Sequence, residues 1–189
     1  MTAASQETSI EFRRAQGDDF ESMVALQNLY LANNLADDQK KDGFLSVGFS
    51  QEQFKAMNDN LLVVVGTTTL GVKAFLCAST VEFNLPLALP KAMIDEFPNT
   101  IYENKPLSEW NICIAGPVCV DASLRGQGVL DKLYSSFYDL APPQYELAVV
   151  FVSVDNPRSI RAHEKVGMSV VGNFEFKGHQ HVIMAGKIR

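Results

Sequence analysis

The sequence is short of several things. It has one tryptophan, three cysteines and three histidines in 189 residues. Cys77, Cys113 and Cys119 sit inside apolar runs without metal-ligand spacing, and an odd count does not close a disulfide set. Buried free thiols in a reducing compartment are the expectation. His179 and His181 share a strand face, but a turn beside them and the distance to His163 leave no expectation of a metal site. There is no basic excess: the net charge of -6 argues against a general binder of nucleic-acid phosphates. No apolar run approaches a membrane span, and the opening "MTAASQETSIEFRR" has no signal core. Repeats and low-complexity tracts are absent. A cytoplasmic protein with neither a membrane nor a nucleic-acid partner is expected.

What is present is the composition of a folded protein, 47% hydrophobic and 20% charged. One domain over residues 1–189 can bury a sizeable core. Charge is uneven. Residues 1–110 hold 8 basic and 15 acidic side chains, and residues 111–189 hold 8 and 7. This suits a cationic substrate toward the first part and an anionic cofactor toward the second; surface scatter accounts for it as well.

Alternation in "SIEFRRA" predicts a strand. Asp18 and Asp19 offer a cap to a helix whose apolar face is Phe20, Met23, Val24, Gln27, Tyr30 and Leu31. Residues 34–50 read as loop, and "SQEQFKAM" as a helix starting at Ser50. "LLVVVGT" and "VKAFLCASTVEF" form a strand pair about a turn. Residues 84–110, with four prolines, interrupt the rhythm; a short helix from Pro90 to Phe97 is expected there, and a connection this long is usually functional. "NICIAGPVCVD" is a strand broken at Gly116-Pro117, because proline cannot donate to a ladder. A helix over 129–140 follows, ended by Pro142-Pro143. "LAVVFVSV" is a strand covered on both faces. "DNPRSIRAHEKVGM" is a helix with Asn156 as cap, Pro157 at its first position and Gly167 as its stop. A closing hairpin turns at Gly178-His179.

At the joint between the broken strand and the following helix stands "DASLRGQGVLDKLY". The first amides of a helix lack partners and favour negative charge. Glycines at 126 and 128 let an anion approach the backbone, and Arg125 adds charge, so the turn suits a phosphate or diphosphate. The glycines also serve a tight joint with no ligand at all. A dinucleotide fingerprint would need a third glycine at Asp131, and a P-loop would need Lys-Ser/Thr after Gly128; neither is there.

"RGQGVL", followed after one helix and one strand by "NPRSIRAHEKVGM", resembles the GNAT superfamily of acyl-CoA-dependent N-acetyltransferases. Arg125 and Gly128 match the first motif of that family, with Leu130 where Gly or Ala is usual. Asn156, Ser159, Glu164, Lys165 and Gly167 match the second; His163 takes the place of its tyrosine and Met168 that of its aromatic residue. The likeness is strong over 111–177 and topological over 9–82, with 84–110 as an insertion shaping the substrate pocket. It implies an α/β (α+β) fold: a mixed, mostly antiparallel sheet of about seven strands, a splayed parallel strand pair, and helices on both faces. It implies acetyl-CoA as cosubstrate, its diphosphate on the backbone of Arg125, Gly126, Gln127, Gly128, Val129 and Leu130. The pantetheine lies in the splay, near Asn156 and Ser159, with Arg158 and Arg161 close to the phosphates. The backbone of Val118, Cys119 and Val120 polarises the thioester carbonyl.

The family tyrosine protonates the leaving thiolate. His163 can replace it as general acid, since a thiol titrates at ~8.5 and imidazolium at ~6.5. Glu82 and Glu109 are the candidate general bases, and Cys119 reads as a small buried hydrophobe, not a nucleophile. The expected activity is acetyl transfer to a primary amine of a small molecule or peptide by direct attack on the thioester. The alternative is an acyl-CoA sensor or interaction module without turnover. A monomer or homodimer is expected, and the acidic first part favours a cationic acceptor.

Overall fold

The structure, a computed structural model, describes residues 9–188; the outermost ends of the expected 1–189 domain lie outside the described residues. The described residues open with β1 (Glu11–Arg14) and α1 (Asp19–Asn28). Tyr30 and Leu31, expected on the apolar face of α1, lie beyond its end. Residues 34–50 are more ordered than a loop: they begin in a 3-10 turn, Ala32–Asn34, and contain α2 (Asp37–Lys40). The helix expected from Ser50 is α3 (Gln51–Asn60), with a reciprocal cap in which Ser50 and Gln53 satisfy each other's backbone N–H.

The strand pair is β2 (Leu62–Thr68) and β3 (Gly71–Thr80). β3 stops three residues before the expected end. Thr80 Oγ1 accepts the Phe83 N–H at 3.1 Å, so the chain turns into α4 (Val81–Asn84). The 84–110 segment then forms α5 (Ala88–Asp95), which starts two residues before Pro90, and a small hairpin, β4 (Ile101–Tyr102) with β5 (Lys105–Pro106). Next come β6 (Ile112–Val120), α6 (Val129–Leu140), β7 (Leu147–Ser153), α7 (Pro157–Lys165), β8 (Ser169–Phe176) and β9 (His179–Lys187).

Seven strands make one sheet in the order β1-β2-β3-β6-β7-β9-β8, and every pair except β6–β7 is antiparallel. Alternate residues of each strand face opposite sides. Val64, Leu76, Ala78, Ala115, Ala148 and Val150 pack with Leu133, Tyr134 and Phe137 of α6. On the other side Val63, Val65, Phe75 and Cys77 pack with Met23 and Leu26 of α1 and Phe54 and Met57 of α3. Met93 of α5, with Phe97 and Leu107, covers Ile114, Leu147 and Val149. The helices thus lie on both faces, and the 84–110 segment contributes Met93, Phe97 and Leu107 to the core. Among the described residues no helix is long and apolar enough to cross a membrane.

Candidate active site

The parallel pair is short. β6 and β7 are in register only at Ile112↔Leu147, Cys113↔Ala148 and Ile114↔Val149. Beyond these residues β6 stays with β3 but slips: Ala78 faces Ala115 and Leu76 faces Val118, so two steps on β3 span three on β6. The extra residue falls at Gly116-Pro117, where the missing N–H makes a bulge cheap. Past the bulge, the Asp121 N–H donates to Lys73 O at 2.9 Å. Bonded and non-bonded pairs alternate along an antiparallel ladder. Cys119, opposite Phe75, therefore spends its backbone groups on β3, while Val118 and Val120 turn theirs into the gap left by β7. Val120 O accepts Arg125 Nε there, at 3.1 Å. Of the three expected backbone donors, Val118 and Val120 face the cleft; Cys119 lines it without offering its amide.

The gap holds two adjoining cavities of about 430 and 380 Å³, both lined by Phe44, Leu45, Val118, Asn156, Ser159 and His163. The larger runs to the glycine turn. Gly126 and Gly128 adopt φ of 78° and 73°, the left-handed region that side chains disfavour. A Cβ on either would meet nothing within 4 Å, so the conformation requires the glycines and open space lies before them. The first i→i-4 bond of α6 runs from Lys132 N to Gly128 O, leaving the amides of Val129, Leu130 and Asp131 at its positive end without helical partners. Four cations, Arg125, Arg158, Arg161 and Lys165, line this cavity against two carboxylates, Asp42 and Asp131. Gln127 turns away, donating to Ser123 O at 2.8 Å, and does not line the cleft.

Residues 42–45 cross this cleft as a strap. Arg125 lies on the Tyr30 ring, 4.6 Å from its centroid, and donates to Asp42 O at 2.7 Å. Arg158 pairs with the Asp42 carboxylate at 2.9 Å. Asn156 caps α7 through the Ser159 N–H at 3.2 Å, as expected, and its Nδ2 donates to Phe44 O at 3.0 Å. Arg125 and Arg158 are thus engaged with protein groups, whereas Arg161 and Lys165 form no ion pair among the described residues. Gln27, a polar residue on the apolar face of α1, accounts for the far end of the same loop: its amide oxygen accepts the Phe49 N–H at 2.9 Å.

His163 is buried, and burial pushes its pKa down. Nδ1 stands 2.8 Å from Ser159 O. A carbonyl only accepts, so Nδ1 carries the proton and Nε2 holds a lone pair; Nε2 has no partner. The resting imidazole is neutral. The expected role as general acid then requires that His163 take a proton before it can give one. Burial likewise raises the thiols of Cys113 and Cys119 to about 12, which leaves Cys119 without a thiolate for covalent chemistry.

The two candidate bases are not brought to the site. Glu82, on α4, and Glu109, on a 3-10 turn, are exposed and line neither cavity. The acidic surplus of the first part does not reach the smaller cavity either, so the expected cationic acceptor has no carboxylate there. Sequence reasoning missed Tyr30, Asp42 and Lys165. Only Lys165, one helical turn after Arg161, carried a local signal.

No protein-family model and no curated protein matches the sequence. Solved structures do match. An acetyltransferase of the GNAT family from Streptococcus pneumoniae shares 13% identity at a TM-score of 0.60, over 96% of this chain and 100% of that one. An N-acetyltransferase from Staphylococcus aureus Mu50 shares 15% at 0.62, over 96% and 100%. Salmonella typhimurium yncA, solved with its cofactor acetyl-CoA, shares 14% at 0.60, over 95% and 94%. The fold is that of the GNAT acetyltransferases. The seven-stranded sheet, its single parallel pair and its flanking helices are the GNAT arrangement expected from the two motifs.

Proposed function

We propose that the chain is an N-acetyltransferase that moves an acetyl group from acetyl-CoA to a primary amine by direct attack on the thioester. One observation supports this most: the parted β6–β7 pair turns the backbone of Val118 and Val120 into a cleft that ends on the left-handed glycine turn and its cation surplus. The residues fit the group. The amides at the start of α6, with Arg161 and Lys165, hold the diphosphate. The freed backbone of Val118 and Val120 pairs with the amides of the pantetheine arm, as an added strand does. Acetyl-CoA supplies an activated acyl thioester.

The Val118 N–H serves a carbonyl oxygen placed at the junction of the two cavities. As the C–N bond forms and the C–S bond breaks, the amine gives up a proton that ends on the thiolate sulfur. His163, the titratable side chain that lines both cavities, relays it and ends as it began. The smaller cavity receives the acceptor. Its lining takes Asn84 and residues 87–90 from the 84–110 segment, along with Phe44 to Phe49.

A second reading, binding of acyl-CoA without turnover, draws support from the absence of a carboxylate among the residues lining the smaller cavity. Calorimetry with acetyl-CoA and thiol release against an amine panel test both. The transferase binds acetyl-CoA and releases CoA with an amine; Gly128→Val weakens binding at least tenfold, while His163→Phe lowers kcat and leaves binding alone. Binding without thiol release supports the sensor, and no binding at all overturns both.

A further inference from the structure

The smaller cavity has a chemistry of its own. Phe44, Val47, Phe49, Met57, Leu89 and Phe176 give it an apolar wall. Among its lining residues only two are ionisable, His163 and Lys177, and none is Asp or Glu. Lys177 stands at φ 52° beside the β8–β9 turn, exposed, with its Nζ 5.4 Å from the centroid of the Phe176 ring. It forms no ion pair among the described residues. With His163 neutral, the one formal charge on the wall is that of Lys177.

An ammonium entering this space gives up water and finds no anion in return. The acceptor must then enter as a free amine. At pH 7 an alkylamine titrating at ~10.4 is neutral in about one molecule in 2,500, and an amine at ~7.8 in about one in seven. That difference favours the weaker base roughly 300-fold before any contact is counted. Lys177 adds to it by repelling a second cation and attracting an anion.

Resting on the acetyltransferase reading of the same site, we propose that the acceptor is a weakly basic amine on an apolar, ring-sized body whose anionic group meets Lys177; an aromatic amine with a carboxylate is the representative probe. Polyamines and lysine-like side chains are excluded by the same wall.

The experiment compares 4-aminobenzoate, 4-aminobenzamide and a linear alkyl diamine as acceptors, by CoA release at saturating acetyl-CoA, with calorimetric binding of acetyl-CoA run beside it. The expected order of kcat/KM is aminobenzoate, then aminobenzamide, then diamine, with at least tenfold between the first and last. Lys177→Ala reduces the preference for the carboxylate over the amide about tenfold. Val47→Glu places a carboxylate on the wall at a position already 45% exposed, and raises the relative rate of the diamine. A diamine that outruns both aromatic amines overturns this proposal and leaves the transferase standing. Acetyl-CoA binding without release to any amine overturns it together with turnover itself, and failure to bind acetyl-CoA removes its premise.

Discussion

His163 has no ring nitrogen free to meet water, and that gives it a measurable signature. Burial lowers its folded-state pKa below the ordinary 6.5. The unfolded chain therefore binds a proton that the native one refuses as pH falls below about 6.5. Its contribution is intact above that value and is lost as pH falls toward the lowered pKa, by at most about 1.4 kcal/mol per pH unit. The difference in denaturant stability between wild type and His163→Phe should be flat from pH 7 to 8 and should shift against the wild type below 6.5. His181, also lowered by burial, is common to both proteins and cancels. A difference with no pH dependence would refute the neutral, buried assignment. The three thiols are a second case. All are buried and raised in pKa, so a disulfide reagent at pH 8 should leave the native protein untouched and titrate three thiols once it is unfolded. At this scale the sequence was legible wherever a residue's role depended on its neighbours in the chain. Asn156 caps because Pro157 and Ser159 follow it. The protonation state of His163 was not legible, because it depends on which atoms the fold packs around the ring.

The strap over the cleft shows the same limit in a whole element. Asp42 meets Arg125 across 83 positions and Arg158 across 116. No local pattern encodes such contacts, and "DGFLSVGFS" read simply as loop. Asp42 competes with any phosphate for Arg158. Both partners are substantially exposed, so the ion pair itself is worth about 1 kcal/mol or less. Asp42→Ala should therefore change thermal stability little and tighten acetyl-CoA several-fold at low salt, by calorimetry; weaker binding would show that the strap assists the cofactor. The glycine turn is the opposite case, an element legible in outline from a few residues. Gly126 and Gly128 hold the left-handed backbone that a joint of this kind demands. Gly126→Ala should cost about 1–2 kcal/mol of unfolding free energy, read by chemical denaturation, even though its methyl group meets no atom.

For the molecule as a whole, the defining event is the parting of β6 from β7. Hydrogen exchange should register it: in the free protein the amides of Val118 and Val120 exchange faster than that of Cys119, whose bond to β3 persists, and acetyl-CoA slows the exposed pair at least tenfold. Equal rates at all three would mean that the sheet is closed. The sequence by itself determined the order of most elements, the break at Gly116-Pro117 and the glycine joint, because each rests on interactions between near neighbours: periodic burial, capping, and the φ that glycine and proline allow. It also misplaced things. Glu82 and Glu109 were candidates because their position in the chain flanks the insertion, yet helical turns carry both to the surface. Only the tertiary structure decided which amides face the cleft, that Asp42 and Tyr30 hold Arg125, that His163 rests neutral, and that the smaller cavity is lined without a carboxylate. Those properties belong to surfaces assembled from segments a hundred residues apart, where packing and desolvation set the chemistry and sequence neighbours do not.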